Sequence, residues 1–170
     1  MWHALAKQAR PPLRRALVLG NPTIDLPGYA SLDEAEVEAD EVVERLSALN
    51  VECYKGAMAS ERVFRERAPG AGIVHLATHG DFPEETAKDL HRLLLAQTES
   101  EDGALHAEEF ERIDLTAARL ITLSVCNGST IRFGPADEPF GLLPALLAAG
   151  AENVLGTLWP IEDAAGRALQ

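Results

Sequence analysis

Apolar and polar positions along the chain fall into two rhythms, short apolar runs and longer stretches with helical spacing. Residues 16–20, 72–78, 120–125 and 153–158 are nearly continuous apolar runs. Such runs predict strands buried on both faces. Val51-Glu52-Cys53-Tyr54 predicts a further short strand. After the first strand, Ala35, Ala39, Val42, Leu46 and Leu49 recur at the spacing of one buried helical stripe. Ser31 followed by Glu34 reads as a capping box that starts this helix, and Asn50 ends it. Ser60 predicts the N-cap of a second helix running to about Arg67. Leu93-Leu94-Leu95-Ala96 and Ala104-Leu105-His106 flank a Glu101-Asp102-Gly103 turn and predict a β-hairpin, with a short helix over 107–113. Residues 139–149 are apolar all round and end at Gly150, as a buried helix does. Pro139 suits a first helical position, whereas Pro144 requires the helix to start late or kink. A last helix is predicted from Ile161 onward.

Strands alternating with helices predict an α/β domain with a mostly parallel sheet covered on both faces. Residues 1–15 are basic and carry Pro11-Pro12, which suits a leader or linker, leaving 16–170 as one domain. Charge narrows the function: 27 acidic against 15 basic residues give a net charge of −12. That excludes non-specific nucleic-acid binding, which needs clustered Lys and Arg. Asp33, Glu34, Glu36, Glu38, Asp40, Glu41 and Glu44 crowd together and are expected to form the solvated face of the first helix. Two cysteines, Cys53 and Cys126, make no disulfide framework and no C-x-x-C metal spacing. With no signal-peptide pattern and no membrane-length apolar window, a cytoplasmic setting is expected.

Chemistry concentrates at two strand ends. The run at 72–78 leads into His79-Gly80, and the run at 120–125 leads into Cys126-Asn127-Gly128, 47 positions later. If these strands are parallel neighbours, both side chains emerge at the carboxyl edge of the sheet, where open α/β folds place their active sites. A thiol beside an imidazole is the minimum apparatus of a cysteine nucleophile. Burial is the commoner state of a lone cysteine, and the joint pattern is what favours chemistry. Gly80 lets the chain turn so that its N–H, with that of Cys126, faces a developing oxyanion. No third catalytic residue stands out, since Asp81 and Asn127 read as turn residues.

The segments Val74-His75-Leu76-Ala77-Thr78-His79-Gly80 and Leu123-Ser124-Val125-Cys126 resemble the CHAT domain, the bacterial branch of the caspase and separase group of cysteine peptidases. The resemblance continues through Asp137-Glu138, Leu146 to Ala151 and Leu158-Trp159-Pro160-Ile161-Glu162-Asp163, and covers about residues 16–168. It implies a caspase-like three-layer sandwich, a His79–Cys126 dyad, a protein or peptide substrate and no cofactor or metal. Relatives usually continue to another strand beyond the final helix, so a sheet without its last strand is expected. They also commonly follow helical repeats, which makes a helical-repeat domain or partner an expectation. Many cleave after a basic residue held in an acidic pocket, for which Asp137, Glu138 and Asp163 are candidates. Trp159 either walls the substrate groove or packs in the core.

His75 is expected to be a satisfied core histidine, and His3, His91 and His106 to face solvent. Cys53 is expected in the core near the sheet edge. Two other functions fit less well. A partner-binding module that cleaves nothing has no chemical need for the dyad. A doubly wound ligand-binding domain would carry a glycine-rich phosphate loop after the first strand, where the chain has Gly20-Asn21-Pro22.

Overall fold

The computed structural model describes residues 12–81, 91–125, 132–133 and 139–157. Its centre is a five-stranded sheet built from β1 (Arg15–Pro22), β2 (Asn50–Gly56), β3 (Ile73–Ala77), β7 (Leu120–Ser124) and β10 (Val154–Gly156). The strand order is β10-β7-β3-β1-β2 and every pairing is parallel. Parallel strands need crossovers, and helix α1 (Asp33–Arg45) supplies the one between β1 and β2, while α2 (Glu61–Arg67) lies between β2 and β3. A small antiparallel sheet of β4 (Gly80–Asp81), β5 (Arg92–Leu94) and β6 (Ala104–His106) follows β3, as the predicted hairpin required. A 3-10 helix covers Ala107–Arg112 and α3 covers Leu142–Ala148.

The period-2 alternation of the strands divides the core. Leu17, Leu19, Val74, Leu76, Ile121 and Leu123 belong to one apolar cluster with Phe64 of α2, Phe110 of the 3-10 helix, and Leu142 and Leu146 of α3. Phe64 and Phe110 meet edge to face at 5.8 Å, the favoured aromatic geometry. The opposite face is covered by α1, which comes so close that a Cβ on Gly20 would sit 2.6 Å from the Cβ of Ala39. Only glycine permits that approach. The result is helix, parallel sheet, helix: the sheet covered on both faces that the strand pattern predicts, and consistent with the caspase-like sandwich that the resemblance implies.

Several local expectations are corrected. Helix α1 has Leu32 at its N-cap and no side-chain cap. Ser31 donates instead to Asp33 Oδ1 at 2.8 Å, and the Asn21 side chain takes the Leu32 N–H at 2.8 Å. The helix ends at Arg45, and Leu46 to Leu49 turn into β2. The acidic face is not wholly solvated: Glu38 is buried, alongside Ala35 and Ala39. His91 is buried as well, contrary to its expected exposure, and His106 is half-buried. Pro139 opens no helix, because Pro139–Phe140 pairs with Arg132–Phe133 as a short antiparallel ribbon, β9 with β8. Helix α3 then starts late, so Pro144 falls in its first turn, where no intrahelical N–H bond is lost. Gly150, with φ 106°, closes α3 as predicted. Ser60 caps α2 by accepting from Val63 N. The expected final helix and His3 lie outside the described residues, and no helix among those described is long and apolar enough to cross a membrane.

Candidate active site

β3 and β7 are adjacent, parallel and in register, with Ala77 opposite Ser124. In sequence, His79 and Cys126 each follow that registered pair by two residues. Cys126 itself lies outside the described residues, as do Asn127, Asp137, Glu138, Trp159 and Asp163.

The backbone on both sides of this strand end is held by cross-links. Thr78 N donates to Ser124 O at 3.2 Å, and the buried Thr78 hydroxyl donates to Leu94 O. Leu94 N donates to His79 O at 2.9 Å. On the far side of β7, Thr157 Oγ1 donates to Val125 O at 2.6 Å. The chain entering Cys126 is therefore tied to β3 on one side and to the end of β10 on the other.

The half-buried imidazole of His79 is oriented by a backbone atom. Its Nε2 lies 2.8 Å from Ala30 O. A carbonyl oxygen only accepts, so Nε2 carries a proton and Nδ1 is the nitrogen left for chemistry. Among the described residues, no hydrogen bond engages Nδ1. The Tyr29 ring stands edge-on to the imidazole at 5.3 Å and restricts its rotation. Burial raises the Tyr29 hydroxyl pKa first, and the neighbouring Asp81 carboxylate raises it further. Asp81 is not a turn residue: it lies in β4 and pairs with Arg92 at 2.9 Å. A cleft of about 300 Å³ opens beyond Ala30, lined by Asn21, Ile24, Tyr29, Ser31 and Glu36 among others.

Gly80 sits opposite Leu93 in the antiparallel β4–β5 pair. The flanking Leu94 N to His79 O bond makes this a non-hydrogen-bonded pair, so the Gly80 N–H points away from β5.

Behind the strand ends lies a buried polar cluster. His75 is 1% exposed, and its Nδ1 is 2.7 Å from Thr122 Oγ1 on β7. Its Nε2 is 3.3 Å from Glu38 Oε1, near enough for charge contact but outside hydrogen-bond alignment. Glu38 Oε2 accepts from Ser124 Oγ at 2.9 Å. His75 is thus in the core as expected but only half satisfied: Nδ1 meets the Thr122 hydroxyl, while Nε2 faces the Glu38 carboxylate without a hydrogen bond. Glu38 was not foreseen, although its place three residues after Ala35 on the apolar stripe is a readable signal. Ala30 had none, because any residue type carries a carbonyl.

Cys53 lies on the edge strand β2, half-buried; burial pushes its thiol pKa up, more than Lys55 pulls it down. No group of three or more His, Cys, Asp or Glu that could hold a metal occurs among the described residues.

Among the described residues, a five-stranded all-parallel sheet flanked by helices on both faces is the architecture of a caspase-like sandwich lacking later strands. Within that class, a family model described as CHAT domain matches residues 3–170, and the chain belongs to that family. Among curated proteins, no sequence matches the chain.

Proposed function

We propose that this domain is a cysteine endopeptidase, cytoplasmic and cofactor-free, with Cys126 as nucleophile and His79 as its base and acid. The observation that carries the reading is the Ala30–His79 hydrogen bond, which commits the Nε2 proton and leaves Nδ1 to act at the sheet edge from which the chain runs on to Cys126. In the reaction, His79 Nδ1 takes the Cys126 thiol proton and the thiolate attacks the scissile carbonyl. The resulting oxyanion is stabilised by the Gly80 and Cys126 N–H groups, a contribution of about 10²–10³ in rate per donor in acyl-transfer enzymes. His79 returns the proton to the leaving amine, and water then hydrolyses the thioester. The substrate is a protein or peptide. Asp137, Glu138 and Asp163 would favour a basic side chain before the cleaved bond, and Trp159 would wall the groove. A helical-repeat domain or partner would govern access.

The test is covalent labelling with a peptidyl electrophile, read by intact mass and peptide mapping. Wild type is expected to take one adduct on Cys126, and Cys126→Ala none. His79→Ala should label at least about 100-fold more slowly, the lower range for loss of a general base. Equal labelling of wild type and His79→Ala would sink the dyad.

A further inference from the structure

Asn21 is the one non-glycine residue with positive φ among the described residues, at 45°. It lies at the carboxyl end of β1, where the register against β2 shifts between Gly20 and Pro22. Gly20 is opposite Ala77, so Asn21 leaves the sheet at the same edge as His79. A left-handed conformation is unfavourable for most residues with a Cβ, and asparagine adopts it where its side chain finds local hydrogen-bonding contacts. Asn21 Oδ1 accepts the Leu32 N–H at 2.8 Å, which fixes the amide orientation because a backbone N–H can only donate. Its Nδ2 then faces Ser31 Oγ at 3.1 Å, and that hydroxyl donates onward to Asp33 Oδ1 at 2.8 Å. Both ends of the amide thus grip residues 31 and 32, immediately after Ala30.

We infer that Asn21 is a positioning residue for the reaction: it docks the 30–32 segment on β1, so that the Ala30 carbonyl holds His79 with Nε2 protonated and Nδ1 available. This rests on the cysteine-peptidase reading of His79 and Cys126. Glycine would remove the strain at this position, but it could hold neither Ser31 nor Leu32. An asparagine here meets a backbone need and a docking need at once.

The test compares Asn21→Gly, which keeps the left-handed backbone and loses the amide, with Asn21→Asp, which keeps an acceptor for Leu32 N–H. Labelling of Cys126 by a peptidyl electrophile gives a maximal rate and a half-saturating concentration. The imidazole ¹⁵N resonances of His79, assigned against His79→Ala, give its tautomer directly. Asn21→Gly is expected to lower the maximal rate about 10- to 100-fold, as misplacement of a reacting group does, with half-saturation little changed. Its His79 resonances should move from the Nε2–H pattern toward a mixture of tautomers, and Asn21→Asp should recover most of both properties. A folded Asn21→Gly protein with the wild-type tautomer and labelling rate would overturn the assignment, as would an aspartate variant no better than glycine. If wild type itself fails to label in a His79-dependent way, the peptidase reading falls. The tautomer comparison still decides whether Asn21 orients His79.

Discussion

Truncating Glu38 to alanine removes the acceptor of the Ser124 hydroxyl bond and the carboxylate facing His75 Nε2. Hydrogen bonds to charged groups contribute about 1.5–3 kcal/mol, and leaving a buried polar atom unpartnered costs about 1–3 kcal/mol. His75 is 1% exposed and Glu38 3%, so water does not replace the lost partner without opening the interface of α1 with the sheet. The expected loss is therefore about 2–4 kcal/mol, from the lost Ser124 bond and the buried polar atoms left facing the gap. Against a total stability of about 5–15 kcal/mol this is severe. With a urea m-value of about 2 kcal/mol/M, the unfolding midpoint should fall by about 1–2 M. The cycle Glu38→Ala, His75→Leu and the double variant isolates the pair, because His75→Leu removes the group that Glu38→Ala would orphan. The double variant should lose less than the sum of the singles. A loss below about 1 kcal/mol for Glu38→Ala, with additive effects in the cycle, would refute the reasoning.

Two further outcomes follow from smaller features. Ser60→Ala removes the acceptor for Val63 N at the start of α2 and should cost about 1 kcal/mol, read as a fall in Tm of about 2–4 °C. Cys53 has its pKa raised chiefly by burial. The folded state thus favours the neutral thiol, and this contribution to stability is fully present below the thiol's unfolded titration and lost as pH rises through the folded one. Denaturation midpoints of wild type should accordingly fall relative to Cys53→Ala between neutral and strongly alkaline pH. At neutral pH, iodoacetamide should modify Cys53 more slowly in the folded than in the unfolded chain. Equal rates would contradict the burial argument.

The parallel sheet was legible because its inner strands β1, β3 and β7 are largely buried on both faces and so read as apolar runs, while the edge strands β2 and β10 are only partly buried. β3 and β7 also end next to residues whose chemistry is conspicuous, which drew attention to one edge of the sheet. The cap of α1 was misread because Ser31 and Glu34 satisfy a local pattern, while the group that binds the Leu32 N–H is on β1, eleven residues earlier. Pro139 was misread for a related reason. It is compatible with a first helical turn, but strand pairing with residues 132–133 outweighs that preference. Glu38 was hidden by its neighbours, since seven acidic residues in one stretch suggest a uniformly wet surface. Its position on the Ala35 stripe marked it as inward-facing, and a histidine inside an apolar strand implied a polar partner. The group that orients His79 had no side-chain signature at all.

Helix α1 and the three residues that lead into it make contact with two different parts of the site. The lead-in presents the Ala30 carbonyl to His79, and the helix presents Glu38 to Ser124, just ahead of Cys126 in sequence. Both attachments belong to one continuous stretch of chain, residues 30–38. Glu36, Val37 and Asp40 of the helix are exposed, and Glu36 and Asp40 both pair with Lys55 of β2. Hydrogen exchange at the α1 amides would therefore report on the state of that edge without any substrate being present.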